Sequence, residues 1–202
     1  MASYAAELET AIRAARAAGA IVREHYGRGD IHVETKADDS PVTAADREAD
    51  AAIGAILREA FPDDAVLSEE TPDSATRLAG TRVWIVDPLD GTRDFVKRTD
   101  DFAVHVGFAV DGEAVVGAVY LPVTDELFYA SRGDGAWRET AAGKERLHVS
   151  AIADRPALRV GISRHFLSER LRAALDAGCI ERRVAIGASV KHMRVAAGGL
   201  DA

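Results

Sequence analysis

The sequence predicts a layered α/β protein, and three observations carry that prediction. Two long stretches near the N-terminus repeat apolar residues at helical spacing. Two short β-branched runs, "AVLSEE" and "VWIVDPL", end in acids, and residues 102–137 alternate in character between turn signals. A chain of 202 residues, 48% apolar and 29% charged, is large enough to bury the core that such layers need.

In the first stretch Tyr4, Leu8, Ile12, Ala15, Val22 and Tyr26 fall close to helical spacing, with Arg13, Arg16, Arg23 and Glu24 elsewhere. This predicts a core-packing helix ending near Gly27. After a polar link, "VTAADREADAAIGAILREAF" predicts a second helix, opened by Thr43 and stopped before Pro62, in which Thr43-x-x-Asp46 has the form of a capping box. The two acid-terminated runs read as buried strands that deliver polar groups at their C-terminal ends. From Phe102 the segments "FAVHVGFAV", "AVVGAVYL", "ELFYAS" and "GDGAW" predict an antiparallel meander whose first hairpin turns at Asp111-Gly112. "LRVGIS" and "SERLRAALDAG" then read as a strand and a helix stopped at Gly178, and "RRVAIG" and "SVKHMRVAAGG" repeat that order. No linker separates independent domains. The expected division is an N-terminal α+β portion, 1–140, holding the acids, and a C-terminal α/β portion, 141–202.

The formal charge of −8 disfavours a nucleic-acid or anionic-membrane binder, which would present a basic surface. A phosphorylated small molecule remains compatible with an acidic protein when a cation bridges the two. The single cysteine, Cys179, excludes an internal disulfide and is read as a small buried or half-buried hydrophobe; no CxxC offers a thiolate zinc site. No run approaches ~18 uninterrupted apolar residues, and the N-terminus mixes acids and bases, so the expectation is a cytoplasmic protein without a membrane span.

The stretch "WIVDPLDGTRDF" holds the chemistry. Asp-Pro and Asp-Gly are turn dipeptides, and each acidic cluster alone reads as turn or cap chemistry. Together, Asp46 at a helix start, Glu69 and Glu70 after one strand and Asp87 and Asp90 after the next form an oxygen-only set that repels itself unless a cation lies within it. Such a set points to a hard cation such as Mg²⁺. Gly91 allows close backbone approach to an anion, and Thr92 offers a hydroxyl to orient a water. Carboxylates for metal beside N–H groups for phosphate make up a site for metal-assisted phosphoryl hydrolysis.

"DPLDGTRDF", with "SEE" and "DSPVTAAD" upstream, resembles the lithium-sensitive, Mg²⁺-dependent phosphatase superfamily that includes inositol monophosphatases, fructose bisphosphatases and 3'(2'),5'-bisphosphate nucleotidases. The resemblance implies a layered αβαβα, inositol-monophosphatase-like fold with mixed and antiparallel sheets. Arg93-Asp94-Phe95 and "KADDSPVTAAD" look like the nucleotidase branch. That implies removal of the 3'-phosphate of adenosine 3',5'-bisphosphate to give AMP, and of 3'-phosphoadenylyl sulfate to give adenylyl sulfate, as in sulfate assimilation. The alternatives are an inositol monophosphatase-like or other sugar phosphatase, and an inactive metal- or nucleotide-binding fragment.

Carried over residue by residue, the resemblance implies two or three Mg²⁺ ions on Glu69, Asp87, the Leu89 carbonyl and Asp90. Asp46 and Thr92 would activate the attacking water, with no covalent enzyme intermediate, and Gly91 and Thr92 would donate backbone N–H groups to the phosphate. His165 of "GISRH" and Lys191 of "GASVK" match substrate-side positions, Ala188 stands where Ser is common, and Lys36 matches a basic position near the site. The family pattern runs on to a W-D motif carrying a further metal ligand. Asp201 matches an acidic position before that motif, so the expectation is a fragment or a lost ligand. Lithium inhibition and a homodimer are implied by the resemblance alone.

Overall fold

A computed structural model of the chain describes residues 3–29, 33–35, 41–72, 75–78 and 80–202. The predicted Lys36 position, with residues 37–40 of its motif, lies outside the described residues.

Helix α1 runs Ala5–Arg28 and stops at Gly29, whose φ of 78° places it in the left-handed region that glycine tolerates. Its fully buried stripe is narrower than the predicted one: Ala11, Ala14, Ala15, Ala18, Gly19 and Val22 form it, while Tyr4, Leu8, Ile12 and Tyr26 pack partly buried beside it. Small side chains let α1 lie close to its neighbours. Helix α2, Ala44–Ala60, opens with the predicted capping box, in which Thr43 caps the third turn residue and the Asp46 carboxylate takes the Thr43 N–H at 2.8 Å. The polar link before α2 holds two strands of three residues each, β1 Val33–Thr35 and β2 Pro41–Thr43, paired antiparallel.

Seven strands follow in one sheet whose spatial order equals chain order: β3 Ala65–Ser68, β4 Arg82–Asp90, β5 Ala103–Val110, β6 Glu113–Leu121, β7 Glu126–Ser131, β8 Gly135–Thr140 and β9 Gly143–Arg146. The β3–β4 pair is parallel and the rest are antiparallel. The β5–β6 hairpin turns at Asp111 and Gly112, with φ of 52° and 79°, as a mirror-image turn needs. The α1 and α2 stripes meet Trp84, Val86, Phe102, Val104, Phe108 and Tyr120 in the main core. At the end of the sheet where β4 begins, Arg82 donates to Asp64 at 2.7 Å and to Glu7 at 3.1 Å, and the Trp84 indole donates to Asp64 at 3.1 Å.

The C-terminal residues supply a parallel pair, β10 Arg159–Ser163 and β11 Arg182–Ile186, joined by α4 Glu169–Ala177, and then α5 Val190–Ala196. Val190 of α5 packs with Ala103, Leu121 and Phe128 in a second apolar cluster. The Glu126 carboxylate takes both arms of the Arg194 guanidinium, at 2.9 and 3.0 Å, and so pins α5 to β7. Asp201 holds Arg159 through its backbone N–H and guanidinium, at 2.7 to 3.0 Å. The α4 helix does end before Gly178, but the left-handed residue is the next one, Cys179 (φ 53°), which is exposed and not buried as expected.

Gly19 shows how tight the α1 contact is. A Cβ built on it would lie 2.1 Å from Cδ1 of Tyr120, a buried ring held by its hydroxyl's bond to Asp125 at 2.5 Å. Ordinarily Gly→Ala in a helix stabilises by about 1 kcal/mol. Here Gly19→Ala is expected to destabilise by about 1–3 kcal/mol through overpacking, a fall in Tm of roughly 3–10 °C for a chain this size. Thermal unfolding followed by circular dichroism measures it, and a raised Tm would show that the Tyr120 ring gives way.

Candidate active site

Of the predicted acids, Glu69, Asp87 and Asp90 come near one another because β3 and β4 run parallel and release their C-terminal ends at the same end of the sheet. Glu69 follows β3, and Asp87 and Asp90 close β4. In a regular strand, residues three apart face opposite sides. Here Asp87 pairs with His105 and Asp90 with Ala103, so β4 spends three steps where β5 spends two. The extra residue is a bulge around Pro88, which has no N–H to give to the ladder. The bulge turns Asp90 back toward the His105 side: its Oδ2 stands 3.3 Å from His105 Nε2. Spacing that looked wrong for two cooperating carboxylates is thereby made right.

The charges answer accordingly. Burial, reinforced by the neighbouring Glu69 and Asp90 carboxylates, pushes Asp87 up to about 7. Burial also acts on Asp90, but hydrogen bonds from His105 and Ser189 outweigh it and hold Asp90 below the ordinary carboxylate range. The His105 imidazole and the Leu89 N–H oppose that rise at Asp87 without cancelling it. The donor set fits Mg²⁺, a hard ion that takes one or two carboxylates and keeps several waters. Among the described residues no three carboxylate, imidazole or thiol groups close round one point by themselves, which that sparse mode of binding does not require.

Beside the acids, Gly91 (φ 95°) leads into α3, Thr92–Lys97. No other residue suits this position, because a Cβ there would lie 2.8 Å from the Ala188 Cβ and 2.9 Å from the Asp101 carbonyl oxygen. The Thr92 hydroxyl stands 3.0 Å from Asp46 Oδ1 and 3.2 Å from the Leu89 carbonyl oxygen. Asp46 is fully enclosed, and its Oδ2 takes the Thr43 N–H and hydroxyl. Burial raises its pKa against those hydrogen bonds. The capping box and the candidate water-activating pair are therefore one carboxylate, serving the helix with one oxygen and Thr92 with the other.

A cleft of about 250 Å³ opens over these groups, lined by Glu69, Asp90, Gly91, Thr92, Arg93 and His165 among others. His165 holds its place through Asp94, with Nε2 2.9 Å from Asp94 Oδ2. Asp94 is buried. It also takes the Thr99 hydroxyl at 2.5 Å and faces Arg164 Nε at 3.4 Å, and Arg164 reaches on to Asp101. Two motifs 71 residues apart, Arg93-Asp94-Phe95 and "GISRH", are thus one structural unit in which Asp94 is the anchor. Lys191 gives its ammonium to the Ala188 carbonyl and is not part of the cleft lining.

Sequence reasoning missed His105, Ser189, Asp101 and Arg164. The signal for His105 was the strand register, which places it opposite Asp87; for the others, contacts with distant segments left no local sign.

A sequence model described as the inositol monophosphatase family matches residues 4–202. The 3'(2'),5'-bisphosphate nucleotidase CysQ of Salmonella typhimurium is 39% identical over 193 residues, covering 95% of this chain and 77% of that protein. Among solved structures, the extragenic suppressor protein suhB of Bartonella henselae superposes with a TM-score of 0.85 at 28% identity, over 97% of this chain and 76% of that one. CysQ from Bacteroides thetaiotaomicron superposes with a TM-score of 0.80 at 31% identity, over 96% and 77%.

Proposed function

The chain belongs to the inositol monophosphatase family, and on that premise we propose that it is a Mg²⁺-dependent 3'(2'),5'-bisphosphate nucleotidase. It removes the 3'-phosphate of adenosine 3',5'-bisphosphate to give AMP, and acts likewise on the sulfated analogue. The observation that carries the reading is the 39% identity with a CysQ nucleotidase over 95% of the chain. The Asp94–His165 unit beside the acids supports it, because it puts the branch-specific motif at the cleft.

Mg²⁺, when bound, supplies positive charge against the phosphate and makes water a stronger acid. Glu69, Asp87, the Leu89 carbonyl and Asp90 would hold two or three such ions between them. The protein's own groups do the rest. With its hydroxyl hydrogen turned to Asp46, Thr92 Oγ1 accepts a hydrogen bond from the attacking water; as the water's proton moves to Oγ1, the hydroxyl's own proton moves to Asp46 Oδ1. Gly91 and Thr92 present backbone N–H groups to the phosphate, and His165 borders the nucleoside.

The test is phosphate release with Mg²⁺ from adenosine 3',5'-bisphosphate, inositol 1-phosphate and fructose 1,6-bisphosphate, with chelator as control. The nucleotide is expected to be preferred and the chelated enzyme silent. A clear preference for either sugar phosphate would assign the chain to the sugar-phosphatase side of the family.

Arg93 accounts for the second phosphate. Arg93 lines the cleft and has no ion-pair partner among the described residues, whereas neighbouring Arg164 is held by Asp94 and Asp101. Losing a charge-assisted hydrogen bond costs about 1.5–3 kcal/mol. Arg93→Ala is therefore expected to raise KM for the bisphosphate at least about tenfold with a smaller change in kcat. With adenosine 3'-monophosphate, which lacks the second group, wild type and variant should converge in steady-state assays.

A further inference from the structure

Asp90 is held from behind by a triangle of contacts that the proposed reaction does not itself require. Its Oδ2 takes the Ser189 N–H at 2.6 Å and stands 3.3 Å from His105 Nε2, and that same nitrogen lies 2.6 Å from the Ser189 hydroxyl. The three residues come from the end of β4, from β5 and from the residue just before α5. The ring of His105 is partly buried, and its register partner is Asp87. It therefore stands where both β4 carboxylates meet the C-terminal portion of the chain.

We propose that His105 is a positioning residue that fixes the Asp90 carboxylate for cation binding by occupying Oδ2, together with Ser189, and leaving Oδ1 to the cleft. The proposal rests on the Mg²⁺ reading of the site. A carboxylate free to rotate about its last bond must be ordered when a cation binds, and ordering it beforehand removes that cost. The Ser189 N–H at 2.6 Å and the His105 ring nitrogen at 3.3 Å converge on that one oxygen, so the hold on Asp90 comes from two separate segments of the chain. The Ser189 contact adds a structural consequence. Ala188 presses on Gly91 and Val190 sits in the apolar cluster under α5, so the same triangle fixes the seat of α5 relative to the cleft floor.

Side chains that only support a metal ligand commonly change affinity 10–100-fold when removed. The decisive comparison is His105→Gln against His105→Leu, two side chains of similar size of which only Gln can place a nitrogen donor near the imidazole Nε2 position. Mg²⁺ binding to the protein without substrate is measured by calorimetry, alongside Tm. The Leu variant is expected to bind Mg²⁺ 10–100-fold more weakly and the Gln variant within about threefold of wild type. Equal affinities in Leu, Gln and wild type would overturn the proposal, as would equal losses in both variants. Asp90→Asn in the same titration separates the two levels of inference: if it binds Mg²⁺ like wild type the metal assignment fails, whereas loss in Asp90→Asn with normal binding in His105→Leu removes the role of His105 alone.

Discussion

Replacing Asp90 by asparagine is expected to reduce kcat/KM for phosphate release on the order of 10³-fold while leaving the fold intact. The carboxylate lies among Asp87, Glu69 and the cleft, and its negative charge is the property a cation needs. Metal stabilisation of a phosphoryl transition state is worth several kcal/mol, and each 1.36 kcal/mol is a factor of ten in rate. Asparagine keeps the shape and an acceptor oxygen for the Ser189 N–H, so the bonds that seat α5 survive. The loss should also respond to ion concentration: raising Mg²⁺ should recover part of the activity if the substitution weakens binding of the ion. Steady-state assays across Mg²⁺ concentrations and a far-ultraviolet dichroism spectrum check both halves. Near-wild-type activity at low Mg²⁺ would contradict the role given to this residue.

What could be read from the sequence was what local interactions determine. The Thr43–Asp46 capping box spans three residues and forms as expected, and the Asp111-Gly112 turn carries its own positive-φ requirement. Strand β4 announces itself because Trp84 and Val86 are buried and β-branched or aromatic residues are frequent around them. Strand β9, "GKER", gave no such sign: all four residues are exposed and its pairing with β8 rests on backbone bonds that any sequence supplies. The three-residue strands β1 and β2 were equally silent for lack of a buried face on β1. In the site, the acids could be found because their chemistry is unusual at strand ends, but their supports could not. His105 and Ser189 are 84 residues apart and Asp94 and His165 are 71 apart, so each pair exists only after the sheet register and the α5 docking are set. Asp94 shows the limit most clearly. The sequence marks it as part of a branch-specific motif, which invites a substrate contact, whereas the fold buries it and spends its carboxylate on Thr99, Arg164 and His165.

The second large effect is expected at Thr92, and its form distinguishes a water-activating pair from a structural contact. Thr92→Ala should lower kcat on the order of 10²–10³-fold, within the range for lost general acid–base assistance, while Thr92→Ser, which keeps the hydroxyl near Asp46 Oδ1, should retain most activity. Tm should change little in either, because the Thr92 side chain takes no part in the capping box: the Thr43 N–H and hydroxyl go to the other Asp46 oxygen. Asp46→Asn is a different case. It removes the base and perturbs the α2 cap together, so it should cost activity of similar size and also about 1 kcal/mol of stability, read as a lower Tm. If Thr92 and Asp46 act as one unit, the double variant Thr92→Ala with Asp46→Asn should be hardly slower than the worse single variant, because a proton path cut once gains nothing from a second cut. Independent roles would instead multiply the two losses. The cycle thus asks whether the 3.0 Å contact between the hydroxyl and the buried carboxylate is the path by which water loses its proton, and multiplicative losses with an unperturbed Thr92→Ala fold would show that it is not.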